Sequence, residues 1–167
     1  MQNARTVDRD ELAPFAEAFE RTHERLWRAL LAYAGDPEVA SDAAAEAYAQ
    51  AVRRGVAIVD IDAWVWRAAF RIAAGELSRR RREAPPVDAP DVASVEGALG
   101  GSAEALELLD ALGQVSDRQR RVLVLRYVGG YSAVEIARLL DTSAGSVRVS
   151  LLRARRTLRS LLEDHDA

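Results

Sequence analysis

Two arginine-rich stretches carry the side chains best able to do chemistry. "RVSLLRARRTLR" (Arg148 to Arg159) holds five arginines and no acid, and "RAAFRIAAGELSRRRR" (Arg67 to Arg82) holds six against a single glutamate. A guanidinium is a permanently charged fork of N–H donors that matches phosphate and carboxylate geometry, so the chemistry on offer is anion recognition. Idle surface helices usually interleave acids with bases, and a dozen residues without one point to a surface that meets a polyanion. Bond-making chemistry has far less to work with. His23 and His165 are the only histidines and cysteine is absent; no ligand set is spaced for a metal and no glycine loop cradles a phosphate. The expectation is a protein that is not an enzyme, with no catalytic residue, no metal and no cofactor.

Charge balance narrows the partner. Net charge is −3 over 167 residues, which argues against a free-standing protein that coats nucleic acid, because such binding rests on neutralised phosphates. The basic character is local: two patches in an acidic chain. Much of the hydrophobic content is alanine, which favours small helical units over one deep core. The lack of cysteine fits a reducing compartment. "MQNARTVDRDELAPF" has no signal-peptide order, and no apolar run approaches the roughly 20 residues of a membrane span. A soluble cytoplasmic protein without membrane insertion is expected.

The elements that must position the arginines are helices. "EAPPVDAPDVASVEGALGGS" (Glu83 to Ser102) contains Pro85, Pro86, Pro90, Gly97, Gly100 and Gly101, so neither helix nor strand persists there and it reads as a linker. Before it, one helix is predicted from about Asp10 to Ala34, stopped by Gly35. A second is predicted with Asp36 as N-cap and Pro37 at the first position, closing at Gly55. "VAIVDI" (Val56 to Ile61) has strand propensity but no partner strand, so it reads as a loop. A third helix, from about Asp62 to Arg82, carries Trp66, Phe70, Ala73 and Leu77 on one buried stripe. After the linker, helices are predicted near Ala103 to Gly113, Asp117 to Val128, Ser132 to Leu140 and Ala144 to Leu162. Ser116 with Gln119 and Ser132 with Glu135 match capping-box spacing. The tail "EDHDA" reads as disordered. The fold class is all-α, with two small helical domains: residues 10–82 and 103–162, joined by 83–102.

The last two helices, three residues apart, form a helix-turn-helix pattern. Val147, Leu151, Ala154 and Leu158 give the long helix a face to bury. Ser146, Val149, Ser150 and Arg153 lie opposite near its start, Arg156 farther along, and Arg148, Arg155 and Arg159 on the flank. Small and polar residues in the first exposed turns are what a major groove admits, and Val149 there suits a thymine methyl. On the third helix Arg67, Arg71 and Ser78 share a stripe with Trp64 nearby. An arginine face beside an aromatic suits a single strand whose bases have unstacked. Trp64 fits the core equally well, whereas Trp66 belongs to the buried stripe. On the second helix Asp42, Glu46, Ala49 and Arg53 share another stripe, which by itself is also an ordinary solvated face.

"LGQVSDRQRRVLVLRYVGGYSAVEIARLLDTSAGSVRVSLLRARRTLR" resembles region 4 of bacterial sigma-70 family initiation factors of the extracytoplasmic-function group. "AYAGDPEVASDAAAEAYAQAVRR" and "AWVWRAAFRIAAGELSRRRR" resemble region 2 of the same group, in the same order. The resemblance implies a factor that binds core RNA polymerase, directs it to promoters and helps open the duplex, with an anti-sigma factor as a possible further partner. It implies polymerase docking by Asp42, Glu46 and Arg53, and capture of the melted downstream element by Trp64, Arg67 and Arg71. It implies upstream duplex readout by Ser146, Arg148, Val149, Ser150 and Arg153, with Arg155 and Arg156 on phosphates, since phosphate contacts position and base contacts specify. Phe70, Arg71 and Gly75 depart from residues frequent in that family, so the downstream promoter preference is expected to be unusual; Ala45 departs on the polymerase-docking helix, and Ser150 and Leu152 on the helix that reads the upstream element. "SDRQRRVLVL" and "YSAVEIARLL" also resemble the DNA-binding domain of LuxR-type regulators, and a regulator acting without polymerase is the alternative. A linker of about 20 residues reaches at most roughly 65 to 70 Å, enough to serve two promoter elements at once.

Overall fold

The computed structural model describes residues 8–83 and 102–165. The linker predicted over 83–102 therefore lies outside the described residues except for its two ends. Among the described residues there are seven α-helices: α1 (Arg9–Ala34), α2 (Pro37–Arg54), α3 (Ile61–Glu83), α4 (Ala103–Gln114), α5 (Asp117–Tyr127), α6 (Ala133–Leu139) and α7 (Ala144–His165). The Val56 to Ile61 stretch forms no strand; a single 3-10 turn at Gly55–Ala57 leads into a loop. The tail does differ from expectation, because α7 continues through Glu163 and Asp164 to His165.

Local chemistry explains the boundaries. Gly35 ends α1 in the left-handed conformation, φ 66°, and returns its N–H to the Leu31 carbonyl at 2.8 Å. Asp36 then caps α2, its Oδ1 accepting from the N–H groups of Glu38 at 2.8 Å and Val39 at 3.2 Å. Ser132 and Glu135 form a complete capping box at α6, whereas at α5 only the Ser116 half is made, accepting from the Gln119 N–H at 3.2 Å. Asp141 holds φ 51° in the turn after α6, and the Thr142 N–H reaches back to the Ala137 carbonyl at 2.9 Å. Ser143 starts α7 by accepting from the Ser146 N–H at 3.1 Å.

Packing follows the alanine content. Ala40, Ala43, Ala47 and Ala51 of α2 are fully buried against α1 and α3, where their small side chains let the three axes approach closely. Trp66, Phe70 and Ala73 are buried as their stripe requires, while Leu77 is only half-buried. In the second unit α7 buries Val147, Leu151 and Ala154 against α5 and α6.

The two units share one continuous core. The Trp66 ring meets the Tyr131 ring edge to face, centroids 5.0 Å apart, and the Arg25 guanidinium lies over both. The Tyr33 hydroxyl donates to Asp117, and Arg120 donates to the Tyr33 carbonyl at 3.2 Å. Gly129 makes the approach possible: a Cβ there would lie 2.7 Å from the Leu125 carbonyl oxygen and 3.1 Å from Trp66 Cζ3. Burial pushes the Tyr131 phenol up to about 12.

Candidate nucleic-acid interface

The first turns of α7 carry the face with the most open chemistry. Capping by Ser143 fixes where the helix begins, and burial of Val147, Leu151 and Ala154 fixes its rotation. These two constraints turn Arg148, Val149, Arg153 and Arg156 to solvent, with Ser146 and Ser150 half-exposed at the margin. Val149 is 48% exposed, as is Leu152 one turn on at 49%. None of the α7 arginines forms an ion pair among the described residues. Arg155 stands apart from the other predicted contacts. It lines an apolar groove of about 460 Å³ between α4, α5 and α7 together with Leu108, Tyr127, Leu158 and Arg159, and its Nε donates to the Leu151 carbonyl at 3.4 Å.

One contributor was not legible in the sequence. Arg118, in the first turn of α5, donates to Ser146 Oγ at 2.5 Å and so adds a cation at the mouth of the helix-turn-helix. The two residues are 28 positions apart, and no local pattern signals a contact set by the crossing of two helices.

The arginines of α3 are in a different situation. Arg67 and Arg71 are both exposed and line a cleft of about 260 Å³ between α3 and the second unit. Arg67 donates to the Arg138 carbonyl at 3.1 Å, at the negatively polarised end of α6. Trp64 is half-buried against the core of the first unit and does not line that cleft, so the predicted grouping of Trp64 with Arg67 and Arg71 is one of helix position only. Trp66 is fully buried, as expected. Farther along, Glu76 accepts from Arg79 at 2.6 Å and from Arg80 at 2.8 Å, and these two hydrogen bonds hold its carboxyl at about 2. Val56 and Val59, in the connection before α3, are almost wholly in solvent; nothing in their spacing had marked them.

On α2 the predicted trio is partly assembled. Glu46 accepts from Gln50 at 2.9 Å and from Arg53 at 2.8 Å, and these hydrogen bonds lower its carboxyl below the usual range. Asp42 is exposed on the same side. No group of histidines or carboxylates among the described residues is arranged to hold a metal, and no described helix is long and apolar enough to cross a membrane.

A helix-turn-helix with an unpaired basic face, joined to a three-helix unit with its own arginine-lined face, defines a DNA-binding protein of the transcription machinery. Comparison with known proteins places it more narrowly. Residues 105–158 match the family described as Sigma-70, region 4. The chain is 31% identical over 159 residues to the RNA polymerase sigma-E factor of Streptomyces antibioticus, covering 93% of this chain and 88% of that one. It is 26% identical over 175 residues to the extracytoplasmic-function RNA polymerase sigma factor SigK of Mycobacterium tuberculosis, covering 95% and 91%. In fold it is similar to the sigma factor RpoE of Bartonella quintana, solved in complex with the anti-sigma factor NepR, with a TM-score of 0.72 at 19% identity over 90% of this chain and 97% of that one. The chain belongs to the RNA polymerase sigma factor family and is a transcription initiation factor of the extracytoplasmic-function type. Because the likeness to sigma-E and SigK spans both units, a LuxR-like regulator is not favoured.

Proposed function

We propose that residues 10–82 bind core RNA polymerase and capture the downstream promoter strand, that residues 103–162 read the upstream duplex element, and that 83–102 connect the two. Asp42, Glu46 and Arg53 on α2 form the polymerase-facing patch. Arg67 and Arg71, with Trp64 one turn earlier on α3, meet the melted strand. Ser146, Arg148, Val149, Ser150 and Arg153 meet base edges upstream, while Arg156 and Arg155 take phosphates. The acid-free, unpaired face at the start of α7 carries this reading most directly: four exposed side chains and two half-exposed serines stand on a helix whose rotation the core dictates. Net acidity supports the same division of labour, since a factor presented to DNA by polymerase has no need of bulk positive charge.

The closed packing of the two units has a consequence for this cycle. Arg67 and Arg71 are exposed but line the cleft against α5 and α6, so the second unit stands over one side of them and a strand lies along the whole α3 face only when the units part. Polymerase, by holding the units at separate promoter elements, supplies that separation. A partner that keeps them together, of the anti-sigma kind, opposes it. The deciding experiment is a pull-down with purified core polymerase followed by run-off transcription on a genomic fragment library. The expected result is co-purification and a small set of discrete start sites. Failure of both, with protein shown to be folded, overturns the proposal.

A further inference from the structure

The exposed side of α7 has an apolar centre. Val149 and Leu152 are each about half exposed, and at i and i+3 their Cβ atoms stand about 5–6 Å apart on one side of the helix. Burial of Val147, Leu151 and Ala154 fixes the rotation of α7, so neither side chain can turn into cover. Arg148, Arg153 and Arg156 flank the pair, exposed and, among the described residues, without an ion pair. Gly145, one turn before Val149, is exposed with φ outside the left-handed region, and a Cβ there would meet nothing nearer than Ser143 Oγ at 4.0 Å. The fold does not call for glycine at that position; its effect is to leave the start of the face low, where a broad surface can come close. A lone apolar side chain on a surface needs no explanation. Two side by side in the middle of an unpaired basic face do, because phosphates satisfy arginines and offer nothing to an aliphatic group. Duplex DNA presents both partners at once: phosphates along the edges of the major groove and, on its floor, the C5-methyl of thymine. Neighbouring bases on one strand are about 3.4 Å apart along the axis and rotated by about a tenth of a turn, which sets their methyls at a separation comparable with that of the two side chains.

We infer that Val149 and Leu152 act as a pair of specificity-determining residues that read thymine methyls on two neighbouring base pairs of the upstream element. An aliphatic side chain has no donor or acceptor, so what it distinguishes is a methyl present from a methyl absent. 5-Methylcytosine carries the same methyl but has an amino donor at C4 in place of the thymine carbonyl acceptor. The arginines beside the pair are donors only, so they favour thymine. The inference rests on the proposed function and deepens it, since it names what the start of α7 reads.

The test uses holoenzyme reconstituted from the full chain and core polymerase, with a promoter duplex taken from the run-off experiment. Each upstream thymine is replaced in turn by deoxyuridine, which removes the methyl and leaves every hydrogen-bonding group in place, and Kd is measured at constant salt. The expected result is a loss of about fourfold at each of two neighbouring positions, the worth of one buried methyl. Leu152→Ala, whose side chain stops short of the base, makes thymine and uridine equivalent at one of them, and Val149→Ala does so at the other. Thermal unfolding of both variants stays close to that of the parent chain, because both side chains are exposed. 5-Methylcytosine, paired with guanine at the same positions, binds more weakly than thymine. The inference is overturned if no change from thymine to uridine alters Kd, if Leu152→Ala discriminates as the parent does, or if 5-methylcytosine equals thymine. An upstream base preference that survives methyl removal sinks this inference alone, whereas the absence of any upstream preference sinks the proposed reading of α7 with it.

Discussion

The two arginine runs are alike in composition and opposite in what the fold does with them. At the end of α3, Arg79 is bonded to Glu76 and Glu83, and Arg80 to Glu76 and to Asp36. Asp36 caps α2 with one carboxylate oxygen and holds Arg80 with the other, so part of that run ties one helix end to another helix start. Along α7 the arginines have no such partners. Arginine count in a window is therefore a poor measure of binding capacity: an acid brought close by a turn or a crossing removes a cation from use. The sequence already hinted at the difference, since Glu76 and Glu83 sit at i−3 and i+4 from Arg79. It could not show Asp36, 44 residues away.

The contrast can be broken most severely at Trp66, which locks α3 against the second unit. Trp66→Ala is expected to cost about 3–5 kcal/mol of stability, measured by urea denaturation, and to remove the ring contact with Tyr131 that joins the two units. At Gly129, Ala places a methyl against the Leu125 carbonyl and the Trp66 ring. A loss of about 1–3 kcal/mol follows, again read from denaturation, with faster proteolysis between the units as the sign that the junction has loosened.

On α7 the signature should be reversed. Arg153→Ala or Arg148→Ala is expected to cost about 1–3 kcal/mol in promoter affinity of the reconstituted holoenzyme, while unfolding changes by no more than about 0.5 kcal/mol. A large stability loss would show that the face is structural after all. Arg156→Ala should instead weaken binding evenly across sequences and reduce the salt slope by about 1.

Titration gives the smaller effects. The Tyr131 phenol is raised from its ordinary 10.0 to about 12 by burial. The folded state therefore keeps its proton where the unfolded state releases it, and stability is undiminished below pH 10 and falls as pH rises from 10 towards 12. Tyr131→Phe should remove much of that fall in alkaline denaturation curves; Tyr33 and Tyr48, also raised by burial, account for a remainder. Glu76 runs the other way. Its carboxyl is lowered from 4.5 to about 2, so its contribution is present above pH 4.5 and lost as pH falls through 2. Glu76→Gln should flatten the acid limb slightly and leave stability near pH 7 almost unchanged, since the pair is exposed.

Most helix boundaries were legible because their causes are local. Gly35, Asp36 with Pro37, Ser116 and Ser132 act within a few residues of themselves, and each sits where its chemistry predicted. The tail was misread for a related reason: "EDHDA" looks like solvated chain, yet three of its residues continue a helix already anchored by Val147, Leu151 and Ala154. The exposed face of α7 was legible too, because a buried stripe at helical spacing settles what lies opposite. Arg118 at Ser146, Arg67 at the Arg138 carbonyl and Asp36 at Arg80 were not, since each depends on where separate helices cross.

The sequence by itself determined the seven helices, the caps that bound them and the rotation of α7, because those rest on periodicity and on groups within one turn of each other. Only the tertiary structure decided which arginines stay free, that Trp66 and Tyr131 join the two units into one core, and that Arg67 and Arg71 line a cleft between them. Such outcomes depend on the distance and angle between elements far apart in the chain. A one-dimensional pattern does not record those quantities, and packing of the whole molecule sets them.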